Sequence, residues 1–113
     1  MRCIFCSIAS GEIASKKLYE DAEIVAFEDV NPQAPIHVLV VPKQHIPALS
    51  DVPPEDSALL GRLLLVADQL AHRLLIAESG YRVVINTGVH AGQTVGHLHV
   101  HLLGGRAMQW PPG

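Results

Sequence analysis

The chain has 113 residues, a formal net charge of -3 and only two Phe, two Tyr and one Trp. A single domain of that length, 1–113, has room for one core with little surplus stability, so association with a second copy would help it. The absence of a basic run argues against nucleic acid and acidic membrane surfaces as partners. With no stretch of about 18 apolar residues and no apolar leader behind Met1, a cytoplasmic location is expected.

Cys3 and Cys6 open the chain three residues apart. In a reducing compartment that spacing points to metal or redox chemistry ahead of a structural disulfide. Ile4, Phe5, Ile8 and Ala9 recur at helical intervals up to Gly11, which predicts a short helix closed by glycine. Lys17 to Glu20 and Ile24 to Asp29 read as an antiparallel hairpin turning at Asp21-Ala22-Glu23. Val25, Phe27 and Asp29 share one face of its second strand. Phe27 and Asp29 read either as a core ring and a turn residue before Asn31-Pro32, the commoner meaning, or as a ring platform beside a hydroxyl acceptor.

After the proline-framed loop Asn31–Pro35, the run Ile36-His37-Val38-Leu39-Val40-Val41 predicts a strand buried on both faces. His37 at its edge then needs a polar partner. A connector carries His45. Pro54, Glu55 and Asp56 suit a helix start, and the apolar periodicity runs on to about Glu78 before Ser79-Gly80. Its leucines cover close to half the circumference, wider than the roughly 100° stripe that one sheet requires. Leu65 sits even within the polar arc, so burial by a second subunit across a two-fold axis is expected. His72 on this helix reads as solvated.

Tyr81 to Thr87 is predicted as a strand, with Arg82, Val84 and Asn86 on one face. The loop from Gly88 to Gly96 supplies glycines for close backbone approach, and Gln93 and Thr94 as side-chain donors. Beside imidazoles it could cradle a phosphate; by itself such a loop is a hairpin turn. His90 in it reads as a residue without a role. The loop feeds His97-Leu98-His99-Val100-His101-Leu102-Leu103. In an extended backbone the three imidazoles share a face at intervals of roughly 6.5 Å, with Leu98, Val100 and Leu102 on the other. Three readings follow: half-buried polar groups, a His-x-His zinc site with its third ligand elsewhere, or metal-free nucleophilic catalysis by an imidazole. Met108 and Trp110 in the tail call for a surface to pack on, for which a partner subunit is a candidate.

The run His97–Leu103, preceded by Ala91-Gly92-Gln93-Thr94-Val95 and followed by Gly104-Gly105-Arg106-Ala107-Met108-Gln109-Trp110-Pro111-Pro112-Gly113, closely resembles the histidine triad (HIT) family, Hint branch. Cys3–Cys6, Tyr19-Glu20-Asp21, the segment Ala26–Pro35 and the segment His37–Lys43 fall in family order, so the likeness spans nearly the whole chain. It implies an α+β fold: an antiparallel sheet of about five strands, one long helix and a short N-terminal helix, assembled as a two-fold homodimer. It further implies hydrolysis of AMP- or GMP-type phosphoramidates through a nucleotidyl-histidine intermediate.

In that scheme His99 resembles the nucleophile and His101 a contact to the phosphoryl oxygens. His97 matches the residue whose backbone orients the nucleophile, and His37 the supporting fourth histidine. Gly92, Gln93, Thr94 and Asn86 match phosphate-side contacts. Asp29 matches the ribose acceptor, with Val30 beside it, and Ile4, Phe5, Ile8 and Phe27 the apolar clamp on a purine. No cofactor is required for the chemistry. Cys3, Cys6, His45 and His97 resemble the structural zinc set of some members. Gly96 stands where members often carry a bulky aromatic, so a different leaving-group side is expected. Dinucleoside polyphosphate hydrolysis, nucleotidyl transfer and a nucleotide-binding adaptor role are the alternative functions.

Overall fold

The computed structural model describes residues 3–113. Helix α1 (Ile4–Ser10) starts where the Cys3 thiol accepts the backbone N-H of Cys6, and closes at Gly11, in the left-handed region at φ 85°. Strands β1 (Lys17–Glu20) and β2 (Ile24–Glu28) form the expected hairpin. Its turn is tied by Asp21, whose Oδ1 accepts the N-H groups of Glu23 and Ile24 at 2.8 Å each. Burial alone would raise the Asp21 pKa, but those bonds, Tyr19 and Arg62 hold the carboxyl at about 2. The Arg62 guanidinium reaches Asp21 and Glu23, pinning the hairpin to the long helix.

Strand β3 (Ile36–Pro42) pairs with β2 on one side and with β5 (Val100–Gly104) on the other. With β4 (Tyr81–Val84) the sheet is antiparallel, in the order β1-β2-β3-β5-β4. The two predicted strands at this end are longer than the ladder. Pairing stops at Val84, not Thr87, and begins at Val100, so His97 to His99 approach the sheet outside it. Leu98 is held there by its N-H on the Ile46 carbonyl at 2.6 Å.

After two short 3-10 turns, helix α2 runs over Ser57–Arg73, five residues short of the expected Glu78. Leu75 adopts a left-handed φ of 64°. The N-H of Leu75 bonds to the His72 carbonyl and that of Ile76 to the Ala71 carbonyl. That pair of bonds is a helix-terminating Schellman motif, and it turns Ile76 back into the core. A leucine at the position that normally calls for glycine leaves no sequence signal.

The alternating faces of the strands make two cores. Ile24, Ala26, Val38, Val40, Leu98, Val100 and Leu102 pack beneath Leu63, Val66 and Leu70 of α2. On the opposite face Val25, Phe27, Leu39 and Val41 pack against Phe5 and Ile8 of α1. Strand β3 is therefore covered on both sides, as its unbroken apolar run predicts. Leu65 and Leu75 lie outside both cores, 63% and 88% exposed. No helix among the described residues is long and apolar enough to cross a membrane.

Candidate active site

Leu98, Val100 and Leu102 turn to the α2 side. The imidazoles therefore stand on the α1 face, as the period of two requires. Phe5 meets the rings of His97 and His99 edge-on at 5.9 and 5.1 Å, and the rings of His99 and His101 are 4.9 Å apart. The pairings Leu39 with His101 and His37 with Leu103 set His37 diagonally beside His101, ring to ring at 5.2 Å.

Hydrogen bonds fix the tautomer of each ring. His99 Nδ1 lies 2.7 Å from the His97 carbonyl oxygen. A carbonyl only accepts, so Nδ1 carries the proton and Nε2 presents a lone pair. His37 Nδ1 accepts the N-H of Gln33 at 3.0 Å, and its Nε2 is 2.9 Å from His101 Nδ1. Burial pushes the His37 pKa down against the pull of Asp29, so the ring is neutral and its proton sits on Nε2. It donates to His101 Nδ1, which leaves the His101 proton on Nε2. That Nε2 is buried with no hydrogen-bond partner among the described residues. The His101 pKa is lowered to about 4 by burial and by the neighbouring His99 and His37, with Asp29 opposing. His101 is thus a neutral donor at pH 7.

His99 and His101 form one end of a cleft of about 420 Å³ whose other walls are largely apolar. Ile4, Phe5, Ile8 and Phe27 line it, with Asp29, Val30 and Thr94 at its rim. Asp29 is the turn residue its place before Asn31-Pro32 suggests, its Oδ1 capping an Asx turn on the Asn31 N-H at 2.8 Å, and its Oδ2 lies 3.4 Å from His37 Nε2. Phe27 is both core and cleft wall. The structure adds Ile13, Ser15, Lys16, Leu39 and Val95 to the lining. Leu39 was legible from its alternation with His37; the segment between α1 and β1 carries no periodic signal.

Of the expected phosphate-side contacts, Thr94 lines this cleft, while Gly92, Gln93 and Asn86 are not among its lining residues. The Gln93 amide donates to the carbonyls of Pro47 and Val95 at 2.8 and 3.1 Å and accepts the Gly88 N-H at 3.0 Å. The N-H groups of Gly92 and Gln93 bond to Val89 and Gly88. These two residues shape the loop, with Gly92 at φ 88°. Asn86, two residues past β4, is not among the cleft-lining residues.

A second cluster lies behind the first. The ligand atoms of Cys3, Cys6, His45 and His97 all fall within 4.8 Å of one another. His97 Nδ1 is 3.3 Å from Cys3 Sγ and 3.6 Å from Cys6 Sγ, and His45 Nδ1 is 3.3 Å from Cys6 Sγ. Tetrahedral zinc at ordinary bond lengths separates a sulfur from a nitrogen by about 3.5 Å. His97 Nε2 donates to the Pro42 carbonyl at 2.8 Å, leaving Nδ1 unprotonated toward the thiols. The donor set fits a zinc ion.

A five-stranded antiparallel sheet carrying a row of imidazoles beside an apolar cleft defines a nucleotide-sized site built on histidine chemistry. The HIT domain family profile matches residues 10–108, and the chain belongs to the HIT family. It is 54% identical over 110 residues to an uncharacterised HIT-like protein of Synechocystis, covering 97% of this chain and 96% of that protein. A crystal structure of a HIT family hydrolase from Legionella pneumophila superposes with a TM-score of 0.97 at 50% identity, covering 99% of this chain and 100% of that one. The histidine triad nucleotide-binding protein of Candida albicans matches with a TM-score of 0.83 at 38% identity, over 97% and 83% of the two chains.

Proposed function

We propose that the chain is a hydrolase of the Hint type that cleaves the P-N bond of purine nucleoside 5'-phosphoramidates. The observation that carries this reading is His99, whose Nδ1 is fixed as a donor so that Nε2 is nucleophilic beside the cleft. His99 Nε2 attacks the phosphorus, the P-N bond breaks, and the amine departs with a proton taken from water. Water then attacks the same phosphorus and loses a proton that replaces the one given to the amine, the P-Nε2 bond breaks, and the nucleoside monophosphate is released from a neutral His99. Negative charge on the phosphoryl oxygens is met by His101 Nε2-H, so the step draws on no metal ion. The base lies between Ile8 and Phe27, and the ribose hydroxyls reach Asp29.

Relatives named hydrolase and nucleotide-binding protein support the coarser reading. The test compares turnover of adenosine 5'-phosphoramidate with that of a diadenosine polyphosphate and traps the intermediate by rapid acid quench. Adenylate bonded to His99, with the phosphoramidate the faster substrate, is expected. Faster cleavage of the polyphosphate would move the chain to dinucleoside polyphosphate hydrolysis.

Two structural proposals accompany the reaction. Zinc bound by Cys3, Cys6, His45 and His97 would fasten the start of α1, whose Phe5 and Ile8 wall the cleft. The exposed Leu64 and Leu65 of α2 would be covered by a second copy in a two-fold dimer.

A further inference from the structure

Arg106 is an exposed residue two positions beyond β5. Its Nε and Nη2 both donate to one main-chain oxygen, the Gln33 carbonyl, at 3.2 and 3.0 Å. Nη1 donates to the Ala107 carbonyl at 3.1 Å, which holds the guanidinium in place. The preceding Gly105, at φ 89°, packs so closely on the same loop that a Cβ there would come within 3.0 Å of Pro35 Cβ. Arg106 thus fastens the turn after β5 to the loop before β3, at the residue whose own N-H sets the tautomer of His37.

We propose that Arg106 is a positioning residue that sets the proton arrangement of His101 through Gln33 and His37. A planar fork on one carbonyl restricts rotation of the Gln33 backbone more than a single donor would. With the Gln33 N-H aimed at His37 Nδ1, the proton of His37 must lie on Nε2, and that of His101 on its own Nε2. If the loop swings away, the Asp29 carboxylate 3.4 Å from Nε2 is left to oppose a proton on His37 Nδ1, and the Nδ1-H form gains population. In it His37 Nε2 accepts from His101 Nδ1-H, and His101 shows the cleft a lone pair instead of a donor. That form repels a phosphoryl oxygen. The inference rests on the proposed hydrolase reading for its kinetic consequence, although its structural part does not.

The experiment records long-range proton–nitrogen spectra of the imidazole rings in the ligand-free protein for wild type, Arg106→Met and Arg106→Lys. In the wild type, His37 and His101 should each show a bare Nδ1 and a protonated Nε2. Arg106→Met should shift both rings toward the opposite tautomer while the backbone amide spectrum outside the two loops stays in place. Arg106→Lys, which keeps one donor, should recover most of the wild-type pattern. The kcat for adenosine 5'-phosphoramidate should fall about tenfold in Arg106→Met, less than the 10²–10³ typical of deleting a transition-state donor outright, with adenosine affinity unchanged. Wild-type ring nitrogens in Arg106→Met would overturn the proposal. A wild type without phosphoramidate turnover, in which Arg106→Met still moves both rings, would overturn the hydrolase reading and leave the positioning role standing.

Discussion

The carbonyl oxygen of His97 lies 2.7 Å from Nδ1 of His99, so the first histidine of the row orients the second through its main chain. The lone pair of the His99 ring is therefore on Nε2, the atom proposed above as the nucleophile. His99→Ala is expected to lower kcat by at least about 10³-fold, in line with losses on deleting a nucleophile. AMP affinity should stay within about threefold, because the ring supplies little of the binding surface. Equal loss of both, by stopped-flow kinetics and calorimetry, would remove the nucleophile assignment.

His101 yields a prediction in pH. Its pKa, lowered to about 4 by burial and by its histidine neighbours, means that the folded state binds this proton less readily than the unfolded chain, where histidine titrates near 6.5. The unfolded state then holds more protons between those values, so stability is full above about pH 6.5 and falls as pH drops toward 4. An NMR titration should show the His101 Cε1-H signal unmoved down to about pH 5. His101→Gln should flatten the acid limb of the stability curve.

Phe5 touches His97, His99 and Phe27 by ring edges and is 6% exposed. Phe5→Ala should cost about 3–5 kcal/mol of stability by chemical denaturation, as other buried Phe truncations do. It should raise KM for the nucleotide more than it lowers kcat, because the ring is cleft wall and not a reacting group.

Zinc titration offers a prediction independent of catalysis. One equivalent should raise Tm, chelator should reverse the gain, and Cys6→Ser should abolish it. Thermal melts at stated free zinc, with metal content measured on the same samples, check this. A Tm indifferent to zinc in the reduced protein would dismiss the cluster as a metal centre.

Leu65, on the outer side of α2, is the residue whose charge should separate two copies. Leu65→Asp is expected to halve the molar mass by light scattering with little loss of helix content.

Much of this was legible from residue order. The alternation around His97–His101, the unbroken run Ile36–Val41 and the turn residue Asp21 each act locally, and the structure places them as the sequence predicts. Family likeness supplied what pattern could not, because nothing in the order of Cys3, Cys6, His45 and His97 states that they meet. The end of α2 was illegible because Leu75 takes a glycine conformation, held there by burial of Ile76 behind it. The partners of the Gln93 amide were illegible because the carbonyls of Pro47 and Val95 that it meets are brought to it by the fold and not by residue order. Arg106 gave no warning: a solvated arginine in a glycine-rich tail looks like any other until its carbonyl partner is seen.

The contribution of His97 to orienting its neighbour passes through an atom that every amino acid possesses. What demands an imidazole at that position is the pair of cysteine sulfurs on one side of the ring and the Pro42 oxygen on the other. In the proposed reaction the reacting unit is consequently two rings and a peptide group. Replacing the side chain at 97 would dismantle the cysteine cluster while sparing the oxygen that aims the nucleophile, which makes that position the place where scaffold and chemistry can be separated.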